Sequence, residues 1–226
     1  VLRLMMEEPL PLNEGIMRNV KIMVPECMLN PTFDEDPMKS PAVVGGNTET
    51  SQRIVDTLIK ALKLAACSQG TMNNLIFGSD RFGFYETIGG GVGAGFGFDG
   101  ADAVHQHMTN TRITDPEVME FRYPVVLEEM KIRKNSGGKG KWNGGNGIVR
   151  QIKFEENVIL TILSQHRTEQ PYGMDGGLPG KAGSQVLIRS SGEKVKLKGI
   201  ETIEVKKGDV IRIETPGGGG YGEIGN

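Results

Sequence analysis

Two histidines one residue apart, His105 and His107 in the string HQHMTNT, form the densest set of groups able to move a proton or bind a metal. In an extended segment they would face the same side, with Thr109 and Thr111 continuing that face. Such a face suits a metal ion, or a base set beside hydroxyls and the Asn110 amide. A hydrogen-bonded buried pair is the competing reading. Just upstream, residues 89–97 hold six glycines. A run of this kind reaches backbone torsions closed to other residues, approaches a ligand closely, and can cup an anion with successive amides. Glu86 precedes the run, where a carboxylate serves as a base or, more commonly, as an ion-pair partner.

Other chemistries are excluded by counting. A GxGxxG match at Gly95, Gly97 and Gly100 is expected by chance in so glycine-rich a run. The GxxxxGK[ST] phosphate loop is absent. A binuclear zinc amidohydrolase needs further histidines, and only His166 remains. Two cysteines, Cys27 and Cys67, make neither a disulfide framework nor a four-thiolate zinc site, and they suit a reducing compartment. Two further glycine clusters, at 135–150 with Trp142 and at 215–222, read as structural turns. The loop 164–183, with His166 and Asp175, has the composition of a binding loop.

The elements that must position these groups fall into two regimes. Residues 1–82 contain five glycines and the remaining 144 contain 28. The spacing predicts an α+β protein. Its mixed α/β N-terminal part, residues 1–120, carries one long amphipathic helix and the His-x-His segment. A β-rich, sandwich- or barrel-like part, residues 121–226, follows. The first part includes a short strand at 20–26 and a loop at 29–41. Its helix opens at Asn47 or Thr48 and stops at Gly70, with Ile54, Val55, Leu58, Leu62 and Ala65 as a core-packing stripe. The string TDPE predicts a helix start with Thr114 as cap, Pro116 in the first turn and Glu117 reaching back. Strands are expected at 124–133, 147–154, 158–165, 185–190, 194–199 and 202–215, the last turning at Gly208 and Asp209.

Whole-chain numbers narrow the partners. With 26 Lys+Arg against 28 Asp+Glu the formal net charge is -2, which excludes the basic field that nucleic acid or an anionic membrane requires. No apolar run approaches the ~20 residues of a bilayer span, and no secretory signal pattern is present. A cytoplasmic location is therefore expected. The chain begins with Val1, in a stretch without a clean start signal, as a piece of a longer polypeptide would.

The strings PLNEG, VVGGNTETSQRIVDTLIKAL, SQGTMNNLIFG, YETIGGGVGAG, DGADAVHQHMTNTRITDPEVME, SGGKGKWNGGNGIVR and TPGGGGYG, running in order from Pro11 to Gly222, resemble the hydantoinase B / 5-oxoprolinase family. The resemblance covers nearly the whole chain, and matches only the C-terminal part of the longer B-type region. It implies a hydrolase that opens cyclic amides such as 5-oxoproline or hydantoins at the cost of ATP. ATP would be bound by a partner A-type region or subunit, which agrees with the missing phosphate loop. A divalent metal would have most of its ligands outside this chain. The same superfamily includes acetone carboxylase large subunits, so carboxylation is an alternative chemistry, and a non-catalytic scaffold within an oligomeric complex is another. On the hydrolase reading, the amides of Gly89, Gly90, Gly91 and Gly93 would contact an anionic intermediate. Glu86, His105 and His107 would handle protons, and Thr109, Asn110 and Thr111 would orient the substrate.

Overall fold

The computed structural model describes residues 1–6, 8, 11, 13–41 and 46–225; of the motif residues, Leu12 and residues 43–45 lie outside the described set. Backbone contacts divide the chain into two compact units, Val1–Gly46 and Asn47–Asn226. The change in glycine content near residue 83 and the expected boundary at residue 120 both fall inside the second unit.

The first unit carries two short 3-10 turns, Leu2–Met5 and Glu14–Met17, and an antiparallel bridge between Cys27 and Asn30. The strand expected at 20–26 does not form. Alternating valines and isoleucines make a strand only where a neighbour accepts the ladder. Here the Val24 carbonyl is taken by the Asn30 side-chain amide at 2.9 Å, and Pro25 has no amide to donate.

The second unit opens with helix α1 (Thr50–Ala61). It ends well short of Gly70: the chain breaks away at Leu62, and Lys63 adopts a left-handed φ of 53°. Its orientation also differs from the expected one. Ile54, Leu58 and Leu62 are exposed, while Gln52, Asp56 and Ile59 are buried. The reason lies in its neighbours. Gln52 Nε2 donates to Thr109 Oγ1 at 2.8 Å and Asp56 Oδ1 meets His107 Nε2 at 3.0 Å, so the polar stripe has the better partners inside.

Nine strands then build two open antiparallel sheets. Strands β1 (Asn74–Gly78), β2 (Gly83–Glu86), β5 (Val158–Leu163) and β8 (Ile200–Val205) pair in the order β2-β1-β5-β8. Strands β3 (Val125–Arg133), β4 (Gly147–Phe154), β6 (Ser184–Ile188), β7 (Lys194–Lys196) and β9 (Val210–Glu214) pair in the order β3-β4-β9-β6-β7. The α+β expectation and its sandwich alternative hold; neither sheet closes into a barrel. Alternate residues of each strand point into one shared core. Leu75, Phe77, Leu160 and Ile162 come from one sheet, and Ile152, Phe154, Ile211 and Ile213 from the other. Phe77 bridges the layers, with its ring 4.6 Å from Phe84 and edge-on to Phe154 at 5.3 Å. Each such side chain contributes about 1.5–3 kcal/mol of burial. Helix α2 (Pro116–Arg122) follows β2 in the chain and leads into β3. Its cap is Asp115 rather than Thr114: the Asp115 carboxylate accepts from the amides of Glu117 and Val118. The Thr114 amide instead donates to Glu86 Oε1 at 2.7 Å.

Beside the sandwich lies a layer packed mainly through its backbone, with a small side-chain cluster of Ala66, Ala94, Met174 and Tyr221. Residues 215–222 form its central rod, and the rods around it bond to it with a period of three. Gly218 N and Tyr221 N donate to Gly145 O and Trp142 O, both at 2.9 Å. Gly217 N and Gly220 N donate to Lys181 O and Leu178 O at 3.1 and 2.9 Å, and Gly91 N and Ala94 N donate to Pro216 O and Gly219 O at 3.0 and 2.9 Å. Three residues per turn is the period of the polyproline II helix, which has no internal hydrogen bonds and must place them between chains. At these glycine positions the rods leave no room for a side chain. A methyl at Gly91 would overlap the Gly145 carbonyl and the Gly218 amide, and one at Gly218 would overlap the Val92 carbonyl.

Candidate active site

A cleft of about 770 Å³ opens where the glycine layer meets the five-stranded sheet. Gly89, His105, Thr109, Asn110 and Thr111 line it, together with Arg112 and, from β3, Lys131. Five of the ten site residues read from the sequence therefore share one cavity. Arg112 and Lys131 add positive charge that sequence reasoning did not single out. Thr111 Oγ1 lies 2.6 Å from Thr87 Oγ1, and Thr109 Oγ1 accepts from Gln52, so both hydroxyls are oriented by the protein. His105 is half-buried, and burial pushes its pKa below the usual imidazole range. Its Nδ1 is buried and has no hydrogen-bond partner. The cleft lining contains one imidazole and no carboxylate or thiol, so these residues by themselves do not fit a metal ion.

The other five sit elsewhere. His107 adopts a left-handed φ of 56°, which breaks the extended geometry, so the two rings do not share a face as expected from the HxH spacing. Its ring turns to α1, where Nε2 donates to Asp56 Oδ1 at 3.0 Å. Glu86, on β2, is buried against Arg150 of β4, itself fully buried. Arg150 Nη2 donates to Glu86 Oε1 at 3.2 Å; the closer approach, Nε to Oε2 at 3.0 Å, is off the hydrogen-bond direction, and both of those atoms lack a hydrogen-bond partner. Burial raises the Glu86 pKa against the pull of Arg150, and burial lowers that of Arg150. The amides of Gly90 and Gly91 donate to Val104 O and Pro216 O, and that of Gly93 to Ser68 Oγ at 3.1 Å. These three amides are engaged within the protein rather than presented to an anion.

Two groups carry chemistry that the sequence reading used only as helix residues. Glu49, just before α1, is buried; Thr71, Met72 and Asn74 all donate to its Oε1, while Oε2 has no partner. Burial pushes its pKa up to about 7. Asp56 lies with Cys67 and His166, one donor atom from each within 4.8 Å of the others. The string NTETSQRIVD offers one signal for both: its acidic residues fall off the apolar stripe, on the face that turns inward.

A sequence model of the family described as Hydantoinase B/oxoprolinase matches residues 1–224. The chain is 47% identical over 222 residues to 5-oxoprolinase 1 of Arabidopsis thaliana, an alignment covering 98% of this chain and 17% of that protein. It thus spans less than a fifth of that relative's length. Among solved structures, the ATP-dependent caprolactamase of Pseudomonas jessenii superposes with a TM-score of 0.63 at 21% identity, over 74% of this chain and 32% of the other. A nucleotide-free acetone carboxylase superposes with a TM-score of 0.56 at 19% identity, over 76% and 29%. At these identities the superpositions speak for the fold.

Proposed function

The chain belongs to the hydantoinase B/oxoprolinase family, and from that premise we propose that it is the C-terminal portion of an ATP-dependent cyclic-amide hydrolase. In this reading an A-type region, fused or separate, binds ATP and phosphorylates the lactam oxygen, and the present chain receives the activated species. The name of the Arabidopsis relative supports 5-oxoproline as the substrate type. The lack of a phosphate loop in this chain agrees with ATP being bound elsewhere.

The observation that carries the reading is the cleft that brings Gly89, His105 and Thr109, Asn110 and Thr111 together. A lactam carbonyl is a poor electrophile, and phosphorylation of its oxygen creates a leaving group. Water must then lose a proton as it adds to the carbon. His105, kept neutral at pH 7 by burial, has the protonation state of a general base. The tetrahedral species expels the ring nitrogen, which takes up a proton. The resulting acyl phosphate then hydrolyses with a second water to carboxylate and phosphate. Arg112 and Lys131 supply the positive charge that a phosphorylated, oxyanionic species requires. Thr109, Asn110 and Thr111 offer it hydrogen bonds. Glu86, His107, Gly90, Gly91 and Gly93 act by holding the cleft's walls. No step is routed through a metal, because the cleft lining does not fit one. We assign the complex to the cytoplasm and to an oligomeric assembly; among the described residues no helix is long and apolar enough to cross a membrane.

A second reading, docking without catalysis, draws on the exposed face of α1 formed by Ile54, Leu58 and Leu62. The two are separated by His105→Ala in the complete assembly with its A-type partner. The hydrolase reading expects ring opening to fall by about 10²–10⁴-fold with the fold and the association intact. Ring opening at the parent rate would leave the docking reading standing and remove His105 from the chemistry.

A further inference from the structure

We propose that Asp56, Cys67 and His166 form a binding site for one zinc-type divalent ion, separate from the cleft. Each of the three is less than a tenth exposed, and their donor atoms lie within 4.8 Å of one another. Cys67 Sγ is 3.8 Å from His166 Nε2. A tetrahedral ion with S and N ligands sets them roughly 3.6 Å apart, given bond lengths of ~2.3 and ~2.05 Å. Small side-chain movements therefore close the site. Thiolate, imidazole and carboxylate together are the donor set of zinc rather than of magnesium or calcium.

The surroundings orient His166 and Asp56 toward the cluster. His166 Nδ1 lies 2.8 Å from the Glu169 carbonyl, which can only accept; Nδ1 therefore carries the proton and Nε2 presents its lone pair to the cluster. Asp56 Oδ1 accepts from His107 Nε2, which leaves Oδ2 buried and without a partner. Metal-bound carboxylates and imidazoles are held by such outer hydrogen bonds. Gly70, at φ +59°, opens the space between them: a β-carbon built there would lie 2.7 Å from Asp56 Oδ2 and 2.8 Å from His166 Nε2. It would also lie 2.7 Å from Arg53 Nη1, which contacts His166 Nε2 directly. The guanidinium thus occupies the cation's place. Arg53 sits only half-buried on α1, so its side chain can swing toward solvent as the ion enters. Loss of the thiol proton accompanies binding and makes affinity rise with pH.

Cobalt(II) is the probe, because a cobalt–thiolate bond gives a near-ultraviolet charge-transfer band that no activity assay is needed to read. The full-length protein, with exposed Cys27 changed by Cys27→Ser, is stripped with chelator and titrated. The expected result is a saturable band at one ion per chain, lost in an additional Cys67→Ser and weakened at least tenfold in affinity in Asp56→Asn. Arg53→Ala, which removes the competing cation, is expected to tighten binding at least threefold. No saturable band in the parent, or a band unchanged by Cys67→Ser, overturns the site. Should Cys67→Ser fail to fold, the parent titration and Asp56→Asn decide. Unchanged affinity in both Asp56→Asn and Arg53→Ala also overturns it.

Discussion

The sandwich and the glycine layer solve the same packing problem in opposite ways. In the sandwich, side chains such as Leu160, Ile152 and Phe154 interdigitate, and the backbone stays at the periphery of the core. In the layer around residues 215–222, the backbone itself is the interior, and each rod's amides and carbonyls are its packing surface. A side-chain core tolerates the loss of a few methylenes at a graded cost, because neighbours relax into part of the gap. A backbone core has nothing to move when an atom is added. Clustered glycines are thus a packing material here, and the cleft opens along the border where one kind of core gives way to the other.

The largest expected effect tests the backbone core. Gly218→Ala puts a methyl into the Val92 carbonyl, with no flexible side chain to give way. We expect a cost beyond the ~1–3 kcal/mol of ordinary overpacking, seen as loss of soluble, cooperatively melting protein. A variant melting within a few degrees of the parent would break the contrast. Next comes the buried pair that ties β2 to β4. Arg150→Met leaves Glu86 buried and unpaired and should cost about 3–5 kcal/mol by chemical denaturation. Adding Glu86→Gln to it should recover part of that loss; no recovery would show that Arg150 acts by packing rather than charge. Leu160→Ala, in the side-chain core, should cost about 2–5 kcal/mol and leave a folded protein.

The smallest effect depends on pH. Glu49 has its folded pKa raised from 4.5 to about 7, so it binds a proton more tightly in the folded state. Its contribution to stability is then fully present below about pH 4.5 and is lost as pH rises through about 7. Relative to Glu49→Gln, the parent should lose up to about 3 kcal/mol between pH 4.5 and pH 8. Urea unfolding of both at the two pH values reads this directly, and parallel pH dependences would contradict it.

How much of this is legible in sequence follows from the range of the forces involved. Strands β3 to β9 fall largely within the β-like runs that glycine turns separate, with alternation clear at 194–197 and 210–213, and the turn at Gly208, with φ +88°, follows from local torsion chemistry. The helix at Thr50–Ala61 was legible as a helix, but its inward face was not. That face is chosen by Thr109 and His107, more than fifty residues away. The same distance hides the glycine rods: their period of three exists only between segments remote in sequence, such as Gly145 and Gly218. Within the site, proximity along the chain from His105 to Thr111 located the cleft. A single left-handed residue, His107, undid the inference that both rings share it.

The most direct test of the account is the coupling of ATP use to ring opening in the complete assembly carrying His105→Gln. The account predicts that the A-type partner still consumes ATP while ring opening falls at least a hundredfold. It also predicts that the parent keeps its rate as pH falls until below the ordinary imidazole value of 6.5, since burial lowers the His105 pKa. One ring opened per ATP in the variant, at the parent rate and with the parent pH profile, would contradict it.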